Sequence, residues 1–424
     1  MSEEPIIKTL ENGLRVVYVP FKGSDSVSFR LIGRAGSMWE SPEELGIAHY
    51  IEHLLFDGTK KYPTTEKLTS LIENGGGYLN AYTGTNAVGY VVKTLKSELE
   101  ISFDYLSQLS MYPLFEEKEI EKERTIIVQE YKRQLNNPVS NFRLNTHKHI
   151  YANGSRLQQP ILGTHETLKT INREQILNYY ESNYGANNFV LSICGDGVEE
   201  EVFQLANKYF NTMNAGALND YTKDHYIDEH SIYTEVNKEV KQATVSVLYQ
   251  APEDYADGFY STKHLRKIMG GSMLSRLAKE IREKRGLAYV VSARYNAAVD
   301  FGTLEHMAQV EPKNVEEVIK VIRDEINKIA KEGITQEEFD RAQKSLNSAF
   351  VFNNEVPEKR ADIQGNFVLE GHKDETYESH LQKIMAVTLE EVNEVAKEIY
   401  SHHPKFSVLS NNITDEQVLN AWNS

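Results

Sequence analysis

His49-Tyr50-Ile51-Glu52-His53 sets two imidazoles and a carboxylate within little more than one helical turn of an apolar run, with Leu45-Gly46-Ile47-Ala48 before it and Leu54-Leu55-Phe56 after it. Such groups are costly among apolar neighbours unless something binds them. At a spacing of four, His49 and His53 share one face of a helix about one turn apart, so that two ring nitrogens can converge on one cation. Glu52 is offset from that pair, which suits a general base acting on a metal-activated water better than a third ligand. A hydrogen-bonded core pair is the competing reading of the same histidines. The inverted motif His-x-x-Glu-His also needs a third ligand from elsewhere in the chain.

The segment Glu117 to Leu135 (EKEIEKERTIIVQEYKRQL) offers two candidates. It reads as a helix whose inward stripe is Ile120, Ile126, Ile127 and Tyr131. Glu123 and Glu130 both lean over that stripe, whereas Glu116, Glu117 and Glu121 fit a solvated face. A desolvated carboxylate needs a cation or donors nearby. A metal could meet that need, and so could Lys122, Arg124 or Lys132 at the rim.

The elements that must position these groups belong to a globular chain. A length of 424 residues implies two to three domains, and 40% hydrophobic with 25% charged residues is ordinary for a soluble protein. Net charge is −16, from 46 basic and 62 acidic side chains, with no basic stripe, so nucleic acid is not expected as a partner. The single cysteine, Cys194, excludes an intrachain disulfide; between Ser192-Ile193 and Gly195 in a strand-like run it reads as core. The start, MSEEPII, is acidic where a secretory signal is basic, and no apolar run approaches the ~18 residues of a membrane span. A cytoplasmic protein without a membrane partner is expected.

A faint repeat suggests duplication. Ser26-Val27-Ser28 matches Thr244-Val245-Ser246, and Val190-Leu191-Ser192 matches Val408-Leu409-Ser410, both at an offset of 218 and each of the second pair between two helical patterns. Alternating runs such as LRVVYV, SVSFRLIG, AVGYVVKT, AYVVSARY and GTLEHMAQV indicate mainly antiparallel sheets with helices on one face, hence an α+β fold of two homologous lobes. The first lobe is placed at 1–215, a linker at 216–228 and the second lobe at 229–424. Capping boxes mark helix starts at Thr335/Glu338, Thr388/Glu391 and Ser41/Glu44, the last just ahead of the histidine helix. At the same offset His49 and His53 fall on Lys267 and Gly271, so the second lobe has the scaffold without the ligands.

Taken together, GIAHYIEHLLFDGT and ERTIIVQE, with 76 residues between His53 and Glu130, closely resemble the pitrilysin and insulinase family of zinc metallopeptidases, in the half-length form related to the mitochondrial processing peptidase. The resemblance spans nearly the whole chain. It implies one Zn(2+) per chain held by His49, His53 and Glu130, Glu52 as the base, and Glu123 orienting His53 from behind. It implies that GGGYLNAYTGT supplies an edge strand on which Asn80 and Ala81 meet a peptide main chain. In GGSMLSRLAKEIREKRGLAYVV it assigns Arg282, near a helix end capped by Gly286, to substrate binding, and Tyr289, seven positions on, to the oxyanion. Met38-Trp39 and Asp57 depart from the family's usual charged residue and lysine, which puts specificity in doubt more than chemistry. The implied protein is a zinc endopeptidase with a LuxS/processing-peptidase-like fold, cleaving oligopeptides or unfolded segments in the chamber of a homodimer. The alternatives are a heterodimer with a related chain, or a non-catalytic or partner-dependent peptide-binding subunit of a processing complex.

Overall fold

Alternating and fully apolar runs form the strands of two sheets in the computed structural model of the chain, which describes residues 4–152, 154–221 and 231–424. The first sheet contains β1 (Ile6–Thr9), β2 (Arg15–Pro20), β3 (Ser26–Gly33), β4 (Tyr78–Thr83), β5 (Val88–Leu95) and β6 (Phe189–Gly195), in the order β1-β2-β6-β3-β5-β4. Only the β2–β6 pair is parallel. The second contains β7 (Ser231–Val236), β8 (Ala243–Gln250), β9 (Ala288–Ala298), β10 (Phe301–Val310) and β11 (Lys405–Ser410), in the order β7-β11-β8-β10-β9, with β7 and β11 parallel. Both parallel pairs join strands far apart in the chain, as parallel pairing requires, whereas the hairpin neighbours β4–β5 and β9–β10 are antiparallel.

The chain divides into two compact units, each built around one sheet: Met1–Arg133, Gln159–Asp220 and Val351–His380 form one, and Gln134–Gln158, Tyr221–Phe350 and Leu381–Ser424 the other. In the first, Val16, Tyr18, Phe29, Leu31, Leu191 and Ile193 face α1 (Ile47–Leu55), α2 (Thr65–Glu73) and α3 (Leu99–Met111) in one core. The other face is not left to solvent. Val17, Val19, Ile32, Val190 and Cys194 pack against Ala361, Val368 and Leu369 of the helix Pro357–Glu370, which is why β6 is buried along its whole length. That helix comes so near β6 that a Cβ on Gly365 would lie 2.9 Å from Ser192 Cβ. Arg15 and Arg34 donate to the carbonyls of Val368 (3.0 Å) and Leu369 (2.6 Å), satisfying acceptors at the helix C-terminus. Cys194 is core as expected, its thiol pushed up to about 12 by burial. In the second unit Val245, Val247, Tyr249, Phe406 and Val408 pack with Leu265, Ile319, Ile322 and Val392. The helix Pro138–Ile150 lies over β7 and β11 on the other face, where Phe142 stacks on Tyr233. Each sheet thus receives a helix from the other half of the sequence, and both of these helices begin with proline at a position where the missing N–H costs nothing.

The duplication is real, but its offset is not 218. Leu31 pairs with Leu191 and with Tyr90 in the first sheet; Val247 pairs with Phe406 and with His306 in the second. Offsets of 216 (247 minus 31 and 306 minus 90) and 215 (406 minus 191) carry each strand onto its counterpart. At 218, Val190 would match Val408, yet Val190 faces the Pro357–Glu370 helix while Val408 faces the main helical layer. Because side chains alternate with a period of two, a shift by an odd number of residues inverts the face, and the Val-Leu-Ser coincidence is not a structural correspondence. Thr335/Glu338 and Thr388/Glu391 are capping boxes as expected. Of the linker expected over 216–228, residues 222–228 lie outside the described residues; Asn219 donates to Arg34 O (2.6 Å) and Asn183 Oδ1 (2.7 Å) in the first unit. Among the described residues no helix is long and apolar enough to cross a membrane.

Candidate metal centre

α1 starts at Gly46, whose φ of +94° is left-handed and whose hypothetical Cβ would lie 2.8 Å from Leu162 O. Ser41 and Glu44, expected to cap this helix, instead bond to each other (2.9 Å) in the preceding turn. The cap is Glu40. Its Oε2 accepts from Gly46 N and its Oε1 from Ala48 N, each at 2.9 Å, so one carboxylate satisfies two orphan donors at the positive end of the helix. Burial pushes the Glu40 carboxyl up to about 8, against the pull of those two N–H groups.

His49 and His53 follow on the inner side of α1, their ring centroids 4.7 Å apart. α4 (Glu117–Asn136) brings the carboxylates. Ile120, Glu123 and Ile127 are its buried residues, whereas Ile126, expected inward, is 44% exposed, because it lies about 100° round the helix from Ile127. Glu130 Oε2 lies 3.8 Å from His49 Nε2 and 3.9 Å from His53 Nε2. Among the described residues, these three form the one group of histidine, cysteine and acidic side chains whose donor atoms all lie within 4.8 Å of one another.

The separations are too long for hydrogen bonds. They are a few tenths of an ångström wider than the ~3.4 Å between ligand atoms of a tetrahedral zinc with bonds of ~2.0–2.2 Å. His49 Nδ1 is buried without a hydrogen-bond partner. Burial and the neighbouring His53 hold this imidazole down to about 4, so it is neutral and has a free lone pair at neutral pH. His53 Nδ1 meets Glu123 Oε2 at 3.0 Å. Burial alone would lower His53, but the Glu123 bond and charge outweigh it and raise it. Glu123, though buried, is held below the usual carboxylate range by His53 and Lys122. An ionised Glu123 accepts a proton-bearing Nδ1–H and so directs the Nε2 lone pair towards Glu130. A neutral His49, a His53 whose Nδ1–H is held by Glu123, and a carboxylate, converging at their other donor atoms without bonding to one another, fit a zinc ion.

Glu52 sits beside this group, and the hydroxyl of Thr83 donates to its Oε2. Burial raises the Glu52 carboxyl, with the Thr83 bond opposing. Thr83 ends β4, the edge of the sheet. Gly84 N donates to Ala87 O at 2.8 Å, so by the alternation of an antiparallel ladder Tyr82/Gly89 and Asn80/Val91 are the hydrogen-bonded pairs. Leu79, Ala81 and Thr83 therefore turn their main-chain groups to the open edge. The Asn80 side chain covers one of them, its Oδ1 accepting from Ala81 N at 2.9 Å.

Arg282 and Tyr289 belong to the other unit. Residues Ala278–Lys284 form a π-helix, a rare element, and Gly286 follows with φ +63°. The guanidinium of Arg282 lies 4.7 Å from the centre of the Tyr289 ring, and Tyr289 is 76% exposed. The helix Phe259–Gly270, which like α1 starts at a left-handed glycine, places Ser261 and Leu265 where α1 has His49 and His53, counting from Gly258 and Gly46. The expected counterparts Lys267 and Gly271 are displaced from these by six positions, but the conclusion that this helix lacks the ligands is unchanged.

Sequence comparison decides the family. Residues 15–165 match the family described as insulinase (peptidase family M16), and residues 170–346 match peptidase M16 inactive domain. A protein of Rickettsia bellii named an uncharacterized zinc protease is 30% identical over 414 residues, covering 97% of this chain and 99% of its own length. The chain belongs to peptidase family M16, the insulinase family. An uncharacterized zinc protease of Bacillus subtilis is 26% identical over 403 residues, covering 95% of this chain and 97% of its own length. The fold is that of a crystal structure of a protease from Helicobacter pylori, with a TM-score of 0.89 at 22% identity over 97% of this chain and 100% of that one. The M16 match contains His49, Glu52, His53, Glu123 and Glu130, and the inactive-domain match contains Arg282 and Tyr289.

Three contributors were not legible beforehand. Thr83 stands two residues after Ala81 in an alternating strand, and so on its face, which was a usable signal. Lys122 is, in the sequence, no more than a cation at the rim. Nothing in the sequence singled out Glu40.

Proposed function

We propose that this M16 chain is a zinc-dependent endopeptidase acting on oligopeptides or unfolded segments. The observation that carries the reading is the convergence of His49, His53 and Glu130 with Glu52 beside them, next to a strand whose outer edge is unpaired. His49, His53 and Glu130 would hold the metal. Zinc, when bound, supplies Lewis-acid activation of water and of the scissile carbonyl. A peptide adds to β4 by main-chain bonds to Leu79, Ala81 and Thr83, displacing the Asn80 side chain from Ala81 N, which fixes its carbonyls without demanding particular side chains. Glu52 takes the proton from the attacking water and returns it to the leaving amine; its raised pKa suits a group that must do both. Arg282 and Tyr289 are assigned to substrate main chain and oxyanion. The single, buried cysteine agrees with a reducing compartment, and a homodimer is the assembly we propose.

The decisive experiment measures zinc content and cleavage of a quenched peptide library by the wild type and Glu52→Gln. About one zinc per chain in both, with cleavage only by the wild type, is expected. Zinc without cleavage by the homogeneous protein would favour a chain that needs a different partner, and absence of zinc would favour a non-catalytic peptide-binding subunit. A monomer by light scattering at micromolar concentration would refute the homodimer.

A further inference from the structure

We propose that Lys122 is a positioning residue of the metal centre, holding the carboxylate that orients His53; this rests on the zinc reading above. Glu123 is pinned at both oxygens: Oε2 meets His53 Nδ1 at 3.0 Å and Oε1 meets Lys122 Nζ at 3.2 Å. The same ammonium lies 2.6 Å from Asp57 Oδ1 and 2.9 Å from Glu119 Oε2. The ammonium thus hydrogen-bonds two carboxylates and ion-pairs with the third, Glu123. Two of those carboxylates are nearly inaccessible, with side-chain exposures of 8% for Glu123 and 9% for Asp57.

The arrangement ties α1 to α4. Asp57 follows the end of α1 by two residues, Lys122 and Glu123 lie on α4, and the chain Asp57–Lys122–Glu123–His53 closes back onto α1. Asp57 Oδ1 also accepts from Thr65 Oγ1 at 3.2 Å, so the far end of the chain is fixed to the start of α2. Without the ammonium, Glu123 loses the contact that sets the rotation of its carboxylate, and Asp57 and Glu123 are left as like charges with no cation between them. A carboxylate free to turn no longer fixes the His53 ring or its tautomer, and groups behind a ligand commonly change metal affinity ten- to a hundredfold. Lys122 is a surface residue on its outer side, with 47% side-chain exposure, and borders a cavity of about 330 Å³ that leaves room for a longer side chain.

The test is zinc affinity, measured by competition with a chromophoric chelator on the purified full chain, for wild type, Lys122→Met and Lys122→Arg, with thermal melts of the metal-free forms as the check on folding. We expect Lys122→Met to bind zinc about tenfold more weakly with an unchanged metal-free melt, and Lys122→Arg to stay within about threefold of wild type, because it restores a cation with several donors. Wild-type affinity in Lys122→Met would overturn the proposal while leaving the zinc reading intact. A loss as large in Lys122→Arg as in Lys122→Met would also overturn it, since the cation would then not be what matters. A wild type that binds no zinc would overturn both.

Discussion

Thr83→Val tests whether the edge strand and the base act as one device. Valine keeps the β-branched shape and the main-chain groups that face the open edge, and removes only the hydroxyl that donates to Glu52 Oε2. A hydrogen bond to a charged, partly buried group contributes about 1.5–3 kcal/mol. If Glu52 needs that bond to face the attacking water, the whole amount falls on the chemical step and kcat drops roughly ten- to a hundredfold. KM should stay within about twofold, because peptide pairing uses the unaltered backbone. The pH profile adds a second readout. Burial raises the Glu52 carboxyl and Thr83 pulls it down, so loss of the hydroxyl raises it further. A base works only above its pKa, so the acid limb of kcat must move to higher pH in Thr83→Val and return in Thr83→Ser. Steady-state kinetics on a quenched peptide across pH, at matched zinc content, give both quantities. An unchanged kcat, or a loss carried by KM, would refute the coupling and reduce Thr83 to a strand residue.

Two further predictions concern stability. His306 is fully buried in the second unit, its Nε2 3.0 Å from Tyr400 Oη, and burial lowers it to about 3. Its folded pKa is depressed, so the neutral ring contributes stability that is present above the unfolded value of ~6.5 and is lost as pH falls towards 3, on the order of 2–3 kcal/mol between pH 7 and 4.5; denaturant midpoints of wild type and His306→Gln should converge on acidification, and parallel curves would exclude this residue as the cause. Gly46→Ala forces a side chain into a left-handed position 2.8 Å from Leu162 O, costing more than the ~1–2 kcal/mol of the backbone alone, so a clearly lower melting temperature is expected and an unchanged one would mean that α1 can begin elsewhere.

What the sequence disclosed follows from which interactions are local. The histidine pair, the inward carboxylates of α4 and the strands SVSFRLIG and AYVVSARY were legible because helix and strand periodicities act over a few residues, and the structure has β3 at Ser26–Gly33 and β9 starting at Ala288. Glu40 could not be found in this way. Its capping role depends on a backward fold of the chain that brings it to the N–H groups of Gly46 and Ala48, and the nearer pair Ser41/Glu44 has the better sequence signature. The repeat misled for a related reason. Three-residue identities say nothing about pleat, and only the pairing of Leu31 with Leu191 and of Val247 with Phe406 fixes which face each residue takes.

The exchanged helices show a different limit. Pro357–Glu370 is an ordinary amphipathic pattern, and nothing in it names the sheet it will cover. The signal lies in β6, where FVLSICG carries no strongly polar residue on either face, the mark of a strand buried on both sides rather than one with a wet face. Arg15 of β2, Arg34 just after β3 and Lys93 of β5 then select the partner: two guanidinium groups for the carbonyls ending the helix, and an ammonium for Glu358 at its start. These contacts have sequence separations of 265 to 353 residues, so the two sheets repeat one strand plan without being closed units of sequence: the unit holding His49, His53 and Glu130 takes one of its covering helices from the half of the chain that lacks the ligands. Losing residues 351–380 would therefore strip the sheet behind the metal centre although none of them belongs to it, and although they lie beyond the residues 170–346 that match the inactive domain.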